Sequence, residues 1–156
     1  MADTHIVKTR IEPFVQEWLE SRFGQKFRRE YLQLTGCAGF HEFDAVSADR
    51  TIVAGIKSSS GRTSGGHNPS AKLASVYREL YFLSNVKADS KLLILTDDEF
   101  YDLVVKKVTQ HLAGGLRVEH CPLTPEVQVL ARGVHEDARD EIDRGKQKAQ
   151  VRGAGS

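Results

Sequence analysis

The sequence has few cysteines and almost no net charge. Its two cysteines, Cys37 and Cys121, lie far apart and lack the CxxC spacing of a zinc site. We therefore expect neither a structural zinc ion nor a stabilising disulfide, and we interpret both residues as buried thiols. A formal net charge of +1 creates no overall basic field that would draw nucleic acid to the whole surface.

Long hydrophobic runs are also absent. No segment has the length and purity of a membrane span, and the N-terminus lacks the apolar core of a signal peptide. These absences predict a soluble, cytoplasmic protein that does not act at a membrane. Residues 58–70 (SSSGRTSGGHNPS) predict a mobile loop, but no Gly-Lys-Ser/Thr ends them, so they do not form a Walker phosphate-binding loop.

Hydrophobic periodicity predicts one mixed α/β domain over residues 1–143, followed by a disordered tail over 144–156. The predicted order of elements is αβββαβαβα. The predicted helices are 12–23, 69–85, 96–112 and one that begins at 124, and the predicted strands are 27–34, two between 40 and 59, 91–96 and 116–123. Thr96 and Glu99 have the spacing of a capping box, which predicts Thr96 as the cap of the third helix.

The stretch from Phe40 to Ser59 has the composition of a β-hairpin. Its polar turn, residues 47–51, predicts Asp49-Arg50 as a two-residue loop. That loop sets the register of the two strands, because each residue before it then has one partner after it. The predicted partners are Asp44 opposite Gly55 and Glu42 opposite Lys57.

Alternate side chains of a strand share a face, so this register predicts one polar and one apolar face. The polar face contains Glu42, Asp44, Gly55 and Lys57, and the apolar face contains Phe43 and Ile56. Two carboxylates and a lysine on adjacent strands can hold a divalent cation and steady a phosphate. The alternative interpretation is an ordinary cross-strand ion pair between Asp44 and Lys57 on a solvated face.

Further candidates lie outside the hairpin. Glu17 and Glu79 are at the borders of the apolar faces of the first and second predicted helices. A carboxylate at such a border can face a cleft, although many such residues only mark the edge of the helix face. In the glycine-rich segment, Arg62 and His67 could contact a phosphate, and a plain linker is the alternative interpretation.

The two strands of the hairpin carry motifs that resemble a known family. Glu42-Phe43-Asp44 and Gly55-Ile56-Lys57 look like the Asp and (D/E)XK motifs of the PD-(D/E)XK nuclease superfamily. The resemblance covers roughly residues 12–96, where the order helix, meander, helix and strand is similar to that family's common core. It implies a restriction-endonuclease-like mixed sheet. It also implies a metal-dependent endodeoxyribonuclease that acts on DNA as a homodimer or as a subunit of a restriction, defence or repair assembly.

The resemblance implies a role for each motif residue. Asp44 would bind Mg²⁺ or Mn²⁺ together with the carbonyl of Ile56, and Lys57 would position the attacking water or the phosphate. Gly55 stands where the family has its second acid. Three carboxylates are candidates to replace that acid: Glu42, Glu79 and Glu17. The candidate nucleic-acid contacts are Arg28, Arg29, Ser58, Ser59, Arg62 and His67.

The missing acid at Gly55 leaves other functions open. The second hypothesis is a catalytically inactive pseudonuclease that binds nucleic acid or a protein partner. A small-molecule-binding α/β domain is a third hypothesis, but no phosphate-binding glycine motif leads from a strand into a helix. Cleavage that requires a divalent ion would indicate the enzyme, whereas DNA binding unchanged by a chelator would indicate the binding protein.

Overall fold

The structure, a computed structural model, describes His5, residues 7–61 and residues 69–130. The predicted phosphate contacts Arg62 and His67 and the predicted tail over 144–156 lie outside these residues. Among the helices that the structure describes, each is too short or too polar to cross a membrane.

The described residues form a mixed α/β fold, as predicted. The helices are α1 (Glu12–Phe23), α2 (Ser70–Ser84) and α3 (Asp98–Val108), with a π-helical turn (Val7–Ile11) before α1, a 3₁₀ turn (Thr109–His111) after α3, and helical residues at 125–130. The strands are β1 (Phe27–Gln33), β2 (Phe40–Ser47), β3 (Ile52–Lys57), β4 (Ser90–Leu95) and β5 (Leu116–His120).

The five strands form one mixed sheet in the order β1-β2-β3-β4-β5. The pairs β1–β2 and β2–β3 are antiparallel, whereas β3–β4 and β4–β5 are parallel. Two parallel pairs require crossover connections, and α2 and α3 supply them. The last strand lies at an edge of the sheet, because β5 pairs only with β4 among the described strands.

The first helix has the predicted bounds, and its ends explain them. Pro13 lies in the first turn, where its missing N–H costs no intrahelical hydrogen bond. Gly24 ends the helix in the left-handed conformation, with φ of 69°, and its N–H donates to the carbonyl of Glu20. The helix buries Val15 and Leu19 against the sheet.

Both faces of the sheet are covered. On one face, α1 packs over a cluster that includes Ala45, Ala54 and Ile56. On the other face, α2 and α3 pack over a cluster that includes Phe43 and Val53. The central strands β3 and β4 are consequently buried on both sides, which explains their nearly continuous aliphatic sequences.

The predicted register of the hairpin is confirmed next to the turn, where Ala45 pairs with Ala54 and Val46 pairs with Val53. The predicted pairs Asp44–Gly55 and Glu42–Lys57 lie beyond these two observed pairs. The turn is stabilised by Asp49, whose carboxylate accepts hydrogen bonds from the amide and hydroxyl of Thr51. These bonds lower the pKa of Asp49 to about 2.

The predicted faces of the hairpin are wrong, because β2 contains a β-bulge. Arg28 pairs with Val46, but Glu30 pairs with Phe43, so β2 has one extra residue between these pairs. A bulge reverses the alternation of side chains beyond it. Phe43 therefore packs on the α2 face and Ile56 on the α1 face, although both were predicted on one face.

The bulge also divides the predicted polar face. Glu42 hydrogen-bonds to Arg29 on the α1 side of the sheet, whereas Gly55 and Lys57 contact residues of α2. Glu42 and Lys57 therefore do not lie together as predicted.

The predicted cap of the third helix is also wrong. Asp97, not Thr96, is the N-cap of α3, and its side chain accepts a hydrogen bond of 2.9 Å from the amide of Phe100. Thr96 is buried directly after β4, one residue before the cap. The same oxygen of Asp97 accepts a hydrogen bond of 2.8 Å from the amide of Gly61, which ties the chain after β3 to the start of α3.

The two cysteines differ, whereas both were predicted to be buried. Cys37 is exposed and Cys121 is buried, and burial raises the pKa of the Cys121 thiol to about 12. A thiolate is the reactive form, so we expect a thiol reagent at pH 8 to modify Cys37 and to spare Cys121. Mass spectrometry of native and unfolded protein measures this difference. Equal labelling of both cysteines in the native protein would contradict it.

Candidate functional site

Arg29 on β1 links three carboxylates. Its guanidinium donates to Glu12 of α1 at 2.5 Å, to Glu42 of β2, and to Asp44 of β2 at 3.2 Å. Burial alone would lower the pKa of Arg29, but the hydrogen bonds to Glu12 and Glu42 and the charge of Asp44 outweigh it, so the pKa is raised overall. Arg29 is therefore charged at every accessible pH and acts as a counter-charge to this group of acids.

Asp44 lies at the bulge and is held from two sides. Its Oδ2 accepts a hydrogen bond of 2.8 Å from the amide of Ile56, and its Oδ1 accepts from Arg29. Gln16 of α1 fixes the backbone here by donating to the Asp44 carbonyl at 2.9 Å. Burial raises the pKa of Asp44, and the Ile56 amide and the charges of Arg29 and Lys57 oppose that shift only in part.

Glu79 of α2 occupies the space above Gly55. A Cβ atom added to Gly55 would lie 2.6 Å from both Cγ and Oε1 of Glu79. That distance is well inside van der Waals contact, so a side chain at position 55 and the observed Glu79 exclude each other. Of the three predicted replacements for the missing acid, the structure thus places the Glu79 carboxylate directly over Gly55.

The Glu79 carboxylate is in an unfavourable environment for its charge. Its side chain is only 9% exposed, and burial, followed by the nearby charge of Asp44, raises its pKa. Among the described atoms Oε1 is buried without a hydrogen-bond partner. A buried carboxylate that has one oxygen without a donor and lies near a second carboxylate gains from nearby positive charge.

Lys57 supplies positive charge on the same face. It follows Gly55 by two residues on β3, and its Nζ donates to the hydroxyl of Ser75 on α2 at 3.0 Å. Its charge lowers the pKa of both Asp44 and Glu79, so the amine lies close enough to act on the two carboxylates. Ser75 had no signal in the sequence, because only the packing of α2 on β3 brings it to Lys57.

His41 is a second residue of the site for which the sequence indicated no role. Its ring stacks on Phe82 of α2 with a centroid distance of 3.8 Å and an interplanar angle of 8°. It also meets the edge of Phe43 at 4.8 Å and 84°, and its Nε2 lies 3.5 Å from Oε2 of Glu79. The sequence shows only that His41 is next to the predicted acid Glu42. In a regular strand, His41 would lie on the opposite face from Phe82.

The remaining predicted residues lie in different surroundings. Glu17 is exposed on α1, whereas Gln16 and Glu12 of the same helix hydrogen-bond to the Asp44 carbonyl and to Arg29. The side chain of Arg28 is 75% exposed, and its Nε lies 3.6 Å from Oε2 of Glu30. Ser58 and Ser59 directly follow β3 and are half-buried. Glu42, which was predicted as a metal ligand, accepts a hydrogen bond from Arg29.

Asp44 and Glu79 carry oxygen donors of the type that small, hard cations bind. Within residues 7–61 and 69–130, no three side chains of His, Cys, Asp and Glu converge closely enough to form a metal-binding group. Mg²⁺ does not require such a group, because it keeps several waters and is held by one or two carboxylates. Asp44 and Glu79 are two carboxylates at this site, and Oε1 of Glu79 is buried without a hydrogen-bond partner among the described atoms.

The chain was compared with known protein families, with curated proteins and with solved structures. No family, no curated protein and no solved structure matches it. The function of the site is therefore inferred from its own residues.

Replacing Arg29 by methionine removes the counter-charge and keeps most of the side-chain volume. We expect Arg29→Met to lower the free energy of unfolding by about 3 kcal/mol, because it removes the positive charge that three partly buried carboxylates bind. The neighbouring Arg28→Met is the matched control and should stay within about 0.5 kcal/mol of the parent. Urea unfolding of the three proteins measures both values. Equal losses in the two variants would show that Arg29 does not hold the acids together.

Glu79→Gln removes the charge of the buried carboxylate. Since the pKa of Glu79 is raised in the folded state, its charge destabilises the parent at neutral pH, and that destabilisation fades as the pH falls toward the ordinary value of 4.5. In a chelator we expect the variant to melt above the parent at pH 7 to 8 and to lose this advantage near pH 4.5. Thermal melts across that range measure the difference, with Glu17→Gln as control. A variant that melts below the parent at neutral pH would contradict the raised pKa.

Proposed function

We propose that this chain is a metal-dependent nuclease that hydrolyses DNA phosphodiester bonds and belongs to the PD-(D/E)XK group. The observation that carries this proposal is the Glu79 carboxylate over Gly55. In the sequence, the second acid of the motif is missing at Gly55. In the folded chain, a carboxylate from the following helix lies in the space that a side chain at that position would fill.

The order of elements supports the same proposal. The chain runs from α1 through the meander β1–β3 to α2 and β4, which is the order expected for the restriction-endonuclease-like core. Asp44 and Lys57 lie on β2 and β3, next to the switch from antiparallel to parallel pairing.

In this proposal Asp44 and Glu79 would hold Mg²⁺ or Mn²⁺, and the backbone carbonyl of Ile56 is a further oxygen donor of the same segment. Such a cation supplies charge that polarises a phosphate and lowers the pKa of a water molecule. The acids are suited to that task, because burial raises the pKa of both carboxylates and the charge of Asp44 raises that of Glu79 further, so a bound positive charge would favour their ionised forms.

Lys57 contributes the ammonium group. Its Nζ donates to Ser75, which orients the side chain toward the α2 face rather than leaving it to sample rotamers in solvent. From there the ammonium can donate a hydrogen bond to a phosphate oxygen or to a water beside it, and it offsets negative charge on a bound phosphodiester. DNA is the proposed partner, and a homodimer or a larger assembly is proposed because the domain is small.

The alternative function is a pseudonuclease that binds DNA or a protein without cleaving it. Two observations favour it. Both oxygens of Asp44 already accept hydrogen bonds, from Ile56 and from Arg29. Moreover, the described residues contain no group of three metal-ligating side chains. In this alternative Arg29 would take the place of a cation beside Asp44 and would keep the acids neutralised.

Cleavage of plasmid DNA tests the proposal. In Mg²⁺ or Mn²⁺ we expect the parent to cut and a chelator to stop it. Asp44→Asn, Glu79→Gln and Lys57→Met should each lower the rate by about 100-fold or more, since each removes a group that acts directly on the phosphate, the water or the cation. Glu17→Gln is the control, because that acid is exposed and outside the site, and it should retain the parent rate.

Moving the acid back to the strand gives a sharper test of the site's geometry. Glu79→Ala vacates the space above Gly55, and adding Gly55→Asp places a carboxylate in that space. We expect the double variant to regain part of the cleavage and Mg²⁺-dependent stabilisation lost in Glu79→Ala. Binding of DNA by the parent without any cleavage, unaffected by a chelator, would reject the nuclease in favour of the binding protein.

A further inference from the structure

We propose that His41 is a positioning residue that holds the Glu79 carboxylate over Gly55. This inference rests on the proposed function for its meaning, because Glu79 matters most if it replaces the missing acid. The geometry itself does not depend on any bound cation. It consists of a histidine ring fixed by aromatic contacts and directed at one oxygen of a buried carboxylate.

The ring of His41 has little freedom to rotate. Phe82 stacks against one of its faces at 3.8 Å with an interplanar angle of only 8°. Phe43 meets the ring nearly at right angles, at 4.8 Å and 84°. Flat stacking on one aromatic side chain and edge contact with another restrict both side-chain torsions. The ring plane, and with it the direction of Nε2, is therefore set by packing.

Nε2 of this fixed ring lies 3.5 Å from Oε2 of Glu79. The distance is long for a hydrogen bond and short for a charge–dipole or ion-pair contact. Within the described part of the chain, the buried polar atoms without a hydrogen-bond partner include both His41 Nε2 and Glu79 Oε1. Contact of Oε2 with His41 leaves Oε1 facing Gly55, without a hydrogen-bond partner among the described atoms.

The bulge in β2 makes this contact possible. Leu32 pairs with His41 and Glu30 pairs with Phe43, so both β2 residues lie beyond the extra residue of the bulge. Without that residue, alternation would direct His41 to the α1 face, away from Phe82 and Glu79. One inserted residue thus brings Asp44 to Arg29 and brings His41 to the carboxylate that lies over Gly55.

A double-mutant cycle in a chelator tests whether His41 holds Glu79. Gly55→Ala requires Glu79 to move, because the new Cβ would lie 2.6 Å from Cγ and Oε1. If His41 restrains Glu79, this substitution should lower the melting temperature of the parent by several degrees and that of His41→Phe by at most half as much. His41→Phe keeps an aromatic ring on Phe82 and removes the nitrogen. His41→Gln returns a polar nitrogen and should restore part of the coupling.

The controls separate restraint from general destabilisation. His111→Phe makes the same exchange at an exposed histidine outside the site, so its effect and that of Gly55→Ala should add. Additive losses in His41→Phe as well would overturn the proposal. A melting-temperature loss from Gly55→Ala that is at least halved by His41→Phe, but not by His111→Phe, would support it.

Cation affinity gives a second readout, through the rise in melting temperature on addition of Mn²⁺. Partners that orient a metal ligand typically change affinity by about 10- to 100-fold when they are removed, and we expect a loss of that size in His41→Phe. Unchanged affinity in that variant would contradict the positioning role. A parent that no cation stabilises would reject the proposed function, while the cycle in chelator would still decide whether His41 holds Glu79.

Discussion

The main physical constraint on the site is that several carboxylates lie close together in a partly buried region of the sheet. Glu12, Glu42 and Asp44 share one guanidinium, that of Arg29, and the buried carboxylate of Glu79 repels Asp44. Lys57 and Arg29 offset part of this charge, but the pKa of Asp44 remains raised. Such a cluster is a poor way to stabilise a fold, because burial of paired charges seldom repays its desolvation cost. Perturbed acids gathered in one place instead indicate a functional site.

The bulge in β2 arranges this cluster. A regular strand would alternate strictly and would place Phe43 beside Ile56, away from α2. With one extra residue between the pairs Arg28–Val46 and Glu30–Phe43, β2 presents Asp44 to Arg29 and turns Phe43 toward α2. Bulges are common next to active sites because they re-aim a side chain without changing the sheet. Here the apolar core and the polar site depend on the same irregularity.

Gly55 and Glu79 complement each other across the interface between β3 and α2. The strand has no side chain at the point where the helix brings a carboxylate, and the separation of 2.6 Å from a hypothetical Cβ leaves no room for both. The strand therefore lacks an acid at the same place where the helix supplies one. Ser75, one helical turn before Glu79, binds Lys57 from the same helix, so α2 anchors both the amine and the carboxylate.

Local chemistry determined much of this protein from the sequence alone. Pro13 and Gly24 bound α1, and the turn around Asp49 set the register that pairs Ala45 with Ala54, because helix ends and tight turns depend on residues a few positions apart. Only the tertiary structure decided that Glu79 rather than Glu17 lies over Gly55, that Arg29 binds acids, and that His41 reaches α2. Those outcomes depend on helix packing and on a one-residue bulge, and side-chain periodicity in a single strand carries no signal of either.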